Sequence, residues 1–162
     1  YLFSSVENAE IRILGSGLTL NFAMDAQEIL NKYGIKAEVW SITSFNELYR
    51  DAIEQERLGL LGKKKSSYVE KCFSTKLPTI AVSEYQRNFA NQIRQWVKGD
   101  YVVLGTDGFG RSDTREKLRD FFEISADYIV LNALKSLNKD KLAEEFLKKN
   151  KVKLRKEAPW QT

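Results

Sequence analysis

Tyr101-Val102-Val103-Leu104-Gly105-Thr106-Asp107-Gly108-Phe109-Gly110-Arg111-Ser112-Asp113-Thr114-Arg115-Glu116 decides how the rest of the chain is read. Its apolar, β-branched opening, Tyr101 to Leu104, has the character of a strand buried on both faces. A turn crowded with Gly105, Gly108, Gly110, Asp107, Asp113 and Arg111 follows. Asp113 and Glu116 then stand at the spacing of a capping box, so Asp113 is expected to cap a helix beginning near Thr114. Gly108 and Gly110 are expected to hold backbone angles closed to other residues. Strand, glycine turn and capped helix together put polar groups at the carboxyl end of a strand, where open α/β sheets receive ligands or partners. The plainer reading is a tight strand-to-helix turn whose glycines serve geometry alone.

Outward from this stretch the same alternation recurs. Ile11 to Leu14 is a short apolar strand. Gly15-Ser16-Gly17 turns into a helix over about Thr19 to Tyr33, with Leu20, Phe22, Ala23, Ala26, Ile29, Leu30 and Tyr33 near helical spacing and Gly34 as a left-handed cap. Lys36 to Thr43 reads as a strand with apolar residues on both faces. Ser44 and Glu47 then have the pattern of a helix start. Gly59, Gly62 and Lys63-Lys64-Lys65-Ser66-Ser67 read as an exposed loop. Thr79 to Val82 is a third strand and Tyr85 to Val97 a helix. After Phe122, Ser125 or Asp127 opens a helix over Tyr128 to Leu137, and a last amphipathic helix covers Lys141 to Lys149. Strands alternating with helices imply a mostly parallel sheet covered on both faces: an open three-layer αβα domain of about five strands. Residues 11–162 are expected to form one domain. Residues 1–10 are either a linker remnant or an edge strand.

Composition narrows the chemistry. The 162 residues contain no histidine, so neither a Ser-His-Asp triad nor a typical zinc site can be assembled. Cys72 is the one cysteine, which rules out an intramolecular disulfide and fits a reducing compartment. No apolar run reaches membrane-spanning length. The formal charge of +4 draws on Lys63 to Lys65 and on the Lys148–Lys156 segment. With no nucleic-acid motif or aromatic platform beside it, that excess reads as solvated surface. The chain opens on Tyr1, and its sole methionine is Met24. It is therefore expected to be a processed product or a piece of something longer.

The Leu104–Glu116 stretch resembles the C-terminal domain of the homodimeric bacterial pyruvate dehydrogenase decarboxylase component, of the transketolase-like superfamily. Leu14-Gly15-Ser16-Gly17, Glu38-Val39-Trp40-Ser41-Ile42-Thr43-Ser44-Phe45-Asn46-Glu47-Leu48, and Ser83-Glu84-Tyr85 with Phe89-Ala90-Asn91-Gln92-Ile93-Arg94 agree in the same order, so the resemblance runs from about Ile11 to about Leu134. It implies an open sheet with one antiparallel edge strand. It also implies a cytoplasmic parent enzyme that decarboxylates pyruvate on thiamine diphosphate with magnesium, both held by domains absent here. The parent then reductively acetylates the lipoyl group of a dihydrolipoyl acetyltransferase. The domain itself is expected to be inert, with no catalytic, cofactor or metal residue. Its expected partners are the upstream domains of its own chain, the second subunit and the acetyltransferase, with no nucleic acid and no membrane. Candidate interface or active-site-approach residues are Asp107, Phe109, Arg111, Ser112, Asp113, Phe45 and Tyr85. Phe45, Phe109 and Tyr85 are chosen because each stands at or just beyond the carboxyl end of a strand, and their rings are expected on the surface. Arg111 is expected to make a planar, two-pronged contact with a carboxylate, on Asp107 or on a neighbouring domain. Two other readings stay open: a free-standing small-ligand or nucleotide-binding regulatory module built on the two glycine turns, and a basic nucleic-acid-binding protein.

Overall fold

The computed structural model describes residues 1–152, 154, 158 and 161, so Lys153, Arg155 and Lys156 of the basic C-terminal segment lie outside the described residues. The elements run β1 (Leu2–Ser4), β2 (Ile11–Gly15), α1 (Thr19–Lys32), β3 (Ala37–Ser41), α2 (Phe45–Gly59), α3 (Tyr68–Cys72), β4 (Thr79–Gln86), α4 (Arg87–Asn91), β5 (Tyr101–Thr106), α5 (Arg115–Phe121), α6 (Ala126–Ser136) and α7 (Asp140–Asn150). They build a five-stranded sheet in the order β1-β3-β2-β4-β5. β3, β2, β4 and β5 are parallel, and β1 closes one edge antiparallel to β3.

Strand alternation sorts the core into two layers. Ile11, Ile13, Ala37, Val39, Ile80, Val82 and Leu104 point to one face and pack with Ala23, Ala26 and Leu30 of α1, with α6, and with Phe146 of α7. Leu14, Ala81, Tyr101 and Val103 point to the other, under Phe45 and Ala52 of α2, Val69 of α3 and Ala90 of α4. Apolar residues on both faces are what a sheet covered on both sides requires.

One buried charged residue on the second face breaks that rule. Arg12 is 1% exposed in the middle of the sheet. Register sets it between Glu38 of β3 and Thr79 of β4. Its Nε donates to Glu38 Oε1 at 2.6 Å, its Nη1 to Thr79 Oγ1 at 3.4 Å, and its guanidinium lies 5.0 Å from the Phe73 ring centroid. Glu38 Oε1 also accepts the Trp40 indole N–H at 3.0 Å. A buried cation is tolerable only with such pairing.

The structure departs from the sequence reading in two of its elements and in the placing of one ring. The expected helix over Tyr85–Val97 starts later and is broken into two short pieces. β4 runs on to Gln86, α4 covers only Arg87–Asn91, and Arg94–Trp96 form a 3₁₀ turn. The Tyr101 hydroxyl donates to the Ala90 carbonyl at 2.8 Å, taking up an acceptor where the helix stops. α3 follows the lysine-rich loop, in a stretch where the sequence pattern predicts no helix. It starts on a full capping box, in which Ser67 receives the Glu70 amide and Glu70 receives the Ser67 amide. Phe45 is 5% exposed rather than on the surface, because α2 begins directly over the sheet and turns its first ring into the second layer.

Candidate functional site

Both glycine turns lie at the carboxyl end of the parallel strands. In the first, Gly15 is required by packing. A Cβ there would stand 2.6 Å from Leu20 Cα and 3.0 Å from Leu20 N, so α1 sits directly on the end of β2. Thr19 is fully buried, and its hydroxyl lies within hydrogen-bond distance of the Ser16 and Val82 carbonyls, 2.8 Å from each. The Ser16 amide donates to the Val82 carbonyl at 3.2 Å and to Thr19 Oγ1 at 3.1 Å. The turn thus spends its polar groups on joining β2, α1 and β4.

The second turn, residues 107–114, is exposed throughout. Asp107 Oδ1 accepts the Gly108 amide at 2.9 Å, and Gly108 has φ +80°. Gly110 does not share that need: its φ is not positive and a Cβ there would meet open space. Phe109, between them, is 87% exposed. The helix cap is Thr114 and not Asp113. Thr114 Oγ1 accepts the Lys117 amide at 3.4 Å, while Asp113 Oδ1 accepts the Thr114 amide at 2.8 Å. Thr114 is the last extended residue, and an aspartate one position earlier reaches the cap residue's own amide. Asp113 also stands 3.5 Å from Lys117 Nζ. The Arg111 guanidinium lies 4.3 Å from the centroid of the Phe121 ring. The sequence offers no local reason for an arginine there, and a ring ten residues later supplies one. Arg111, Ser112 and Asp113 line a polar hollow of about 440 Å³ with Lys117, Asp120 and Phe121.

Between the two turns is a second cleft, of about 430 Å³, lined by Leu18, Glu84, Thr106, Arg115, Leu118 and Arg119 among others. Arg119 spans it, pairing with Glu84 at 3.1 Å and covering the Phe22 ring at 4.9 Å. Tyr85, on the outer part of β4, is 69% exposed and lies 5.8 Å from the Phe89 ring. Tyr85 and the 107–113 turn therefore share the carboxyl end of the sheet, whereas Phe45 belongs to the core. Glu84 and Phe89 enter the sequence reading only through the family resemblance and not as site residues, and Arg119 does not enter it. A pair separated by 35 residues leaves no local signal. Gly105, an isolated glycine ending an apolar strand, did carry a signal of close backbone approach.

A third cleft, of about 290 Å³, opens between the β3 edge, α2 and α3, lined in part by Trp40, Ser44, Asp51, Tyr68, Cys72 and Phe73. Cys72 is half-buried there. A hydrogen bond with its thiol, before any effect of burial, pushes ionisation of the Tyr68 hydroxyl up. Among the described residues no group of three or more Asp, Glu and Cys side chains is placed to hold a metal ion, and no helix is long and apolar enough to cross a membrane. With the Ser16 amide already engaged and no metal-binding cluster among the described residues, the first turn does not fit a magnesium–diphosphate group.

A family model described as the transketolase-like TK C-terminal domain matches residues 1–125. The chain is 50% identical over 133 residues to the pyruvate dehydrogenase E1 component of Pseudomonas aeruginosa, covering 78% of this chain and 15% of that protein. It is 42% identical over 146 residues to the Escherichia coli K12 protein of the same name, covering 86% and 16%. The chain thus spans about a sixth of the length of these curated relatives. Among solved structures it is similar to transketolase from Campylobacter jejuni, with a TM-score of 0.59 and 21% identity over 83% of this chain and 18% of that one. It is also similar to a split-gene transketolase described as an inactive beta4 tetramer, with a TM-score of 0.60 and 15% identity over 85% of this chain and 42% of that one. At such identities these two likenesses speak for the fold alone.

Proposed function

Because this chain belongs to the transketolase-like TK C-terminal domain family, we propose that it is the C-terminal assembly domain of a pyruvate dehydrogenase E1 component. The observation that carries this reading is the 50% identity to such a component over most of the chain. The parent enzyme decarboxylates pyruvate with thiamine diphosphate and magnesium held by its other domains. It passes the two-carbon unit to the lipoyl group of a dihydrolipoyl acetyltransferase, in the cytoplasm. Residues 11–162 act as one domain in this scheme. Its contribution is a rigid sheet whose carboxyl end, with Tyr85, Phe109 and the 107–113 turn, faces the upstream domains and the second subunit and borders the approach to the active site. Two features support this. The two most exposed rings of the candidate set lie at that end, and the chain has no histidine for proton transfer near neutral pH. The regulatory-module and nucleic-acid readings have no observation in their favour.

The test compares the full-length gene product with a truncation lacking this domain. Pyruvate decarboxylation with added thiamine diphosphate and magnesium is measured, together with sedimentation for the dimer. The truncation is expected to lose the dimer or most turnover, and the present chain alone to show no turnover and no cofactor binding by calorimetry. A truncation that keeps both dimer and rate, or turnover by the present chain alone, overturns the assignment.

A further inference from the structure

We infer that the cleft between the β3 edge, α2 and α3 binds a small organic ammonium, a primary amine carried on an aromatic body. No residue of either glycine turn and none of the candidate interface residues lines this cleft. Sequence spacing builds its first wall. Ser44, Glu47, Leu48 and Asp51 fall at i, i+3, i+4 and i+7, one stripe running from the cap down α2, and all four line the cleft. Tyr68 and Cys72, at i and i+4 on α3, line it as well. Trp40 and Phe73 add two rings, edge to face, with centroids 5.1 Å apart and 78° between their planes. Apolar and aromatic walls with a few placed polar groups are the make-up of a small-molecule site. The volume of about 290 Å³ stands at the lower end of such sites, about 300–1,000 Å³, so the occupant is small.

Charge decides the class of occupant. Glu47 and Asp51 line the cleft, and no lysine or arginine does. The Tyr1 nitrogen, the other positive group at this wall, is spent on the Ser41 carbonyl at 2.9 Å. Glu47 is held by Arg50 at 2.7 Å. Elsewhere on α2, Glu54 is held by Arg57 at 2.8 Å and Glu56 accepts the Trp96 indole N–H at 2.9 Å. Asp51 differs. Its Oδ2 accepts the Tyr68 amide at 2.6 Å, which ties α3 to α2, and among the described residues no cation pairs with it. An ammonium there sits among aromatic rings and beside a carboxylate, two attractions that reinforce each other. An anion meets two carboxylates, and a neutral molecule leaves the charge of Asp51 unanswered.

Cys72, lining the cleft, is the reporter. The full-length gene product is treated with methanethiosulfonates carrying an aminoethyl, a methyl or a sulfonatoethyl group, and Cys72 is followed by peptide mass spectrometry. The thiolate attacks the reagent's divalent sulfur, a mixed disulfide forms and methanesulfinate leaves. Each rate is divided by that in the urea-unfolded protein, which removes intrinsic reactivity. The cationic reagent should be favoured over the anionic one by at least about fivefold. The formal charge of this chain is +4, so its overall field works the other way and such a preference is local to the cleft. Phenylethylammonium should protect Cys72 at concentrations at least about fivefold lower than phenylethanol, its neutral counterpart, and phenylpropanoate should not protect. Asp51→Asn, which keeps an oxygen for the Tyr68 amide, should bring phenylethylammonium to the level of phenylethanol and leave phenylethanol unchanged. Glu54→Gln, outside the cleft, should alter neither. Equal protection by the amine and the alcohol, or amine protection that survives Asp51→Asn, overturns the inference. So does an equal loss in Glu54→Gln, which makes the effect one of total helix charge. A folded-state Cys72 that resists all three reagents means that another part of the polypeptide fills the cleft, and overturns it too. Neither dimer nor turnover is read, so failure here leaves the assembly reading standing.

Discussion

Removing Glu38 should be among the most damaging single changes available in this domain. In Glu38→Ala the Arg12 guanidinium, 1% exposed, loses the oxygen 2.6 Å from its Nε, and the Trp40 indole N–H loses the same acceptor. Breaking a buried ion pair by deleting one partner costs about 3–5 kcal/mol. The Glu38 side chain is 17% exposed, so water can enter part of the vacated space. That sets the expectation at the lower end, about 3 kcal/mol, because Thr79 Oγ1 at 3.4 Å and the Phe73 ring at 5.0 Å compensate a full charge weakly. For a domain of this size the loss corresponds to roughly 6–12 °C in melting temperature. With a urea slope of about 2 kcal/mol per molar, it moves the unfolding midpoint by about 1.5 M. Urea unfolding followed by tryptophan fluorescence reads it directly, since Trp40 is part of the network. Arg12→Met/Glu38→Gln removes the charge and leaves an amide oxygen for Trp40, so it should recover most of the loss. A single-variant cost below 1 kcal/mol, or no recovery in the double variant, would refute the view of Arg12 as a paired buried cation.

Three further outcomes are expected. Gly15→Ala forces a Cβ to 2.6 Å from the α1 backbone and should cost at least about 1–3 kcal/mol in urea unfolding; an unchanged midpoint would mean that α1 can shift freely. Thr114→Ala should destabilise α5 by about 0.5–2 kcal/mol and Asp113→Ala by less, because the cap is Thr114; the reverse order would restore Asp113 as the cap. Hydrogen bonds first from the Ser67 amide and then from its hydroxyl hold the Glu70 carboxyl below its usual value of 4.5. Its stabilisation is therefore complete above that pH and lost as pH falls through the lowered value, so the stability gap between the unaltered chain and Glu70→Ala should narrow on acidification below about pH 4.5 and not on raising the pH.

Much of the architecture is legible in local pattern. The apolar runs at Ile11, Thr79 and Tyr101 become three parallel strands, and Ser44 caps α2 by accepting the Glu47 amide at 3.2 Å. Gly34 takes the left-handed φ, +73°, that its position after α1 calls for. These features depend on residues within a few positions of one another, so sequence spacing alone carries them. The candidate site was legible only in part. Phe109 and Tyr85 stand on the surface, but Phe45 does not, because burial of a ring at a strand end depends on where the next helix lands.

What the sequence determined by itself is the alternation of strands and helices, the double covering of the sheet, and the absence of histidine chemistry. Each follows from residue type, periodicity or count. Only the tertiary structure decided that Arg12 is buried beside Glu38, that Arg119 closes on Glu84 across 35 residues, and that β4 runs past its apolar stretch to hold Tyr85 outside. Those outcomes turn on strand register and on the contact of β4 with Gly105. Both are set by non-local packing, where the side chains that compensate a charge or permit a close approach come from distant parts of the chain.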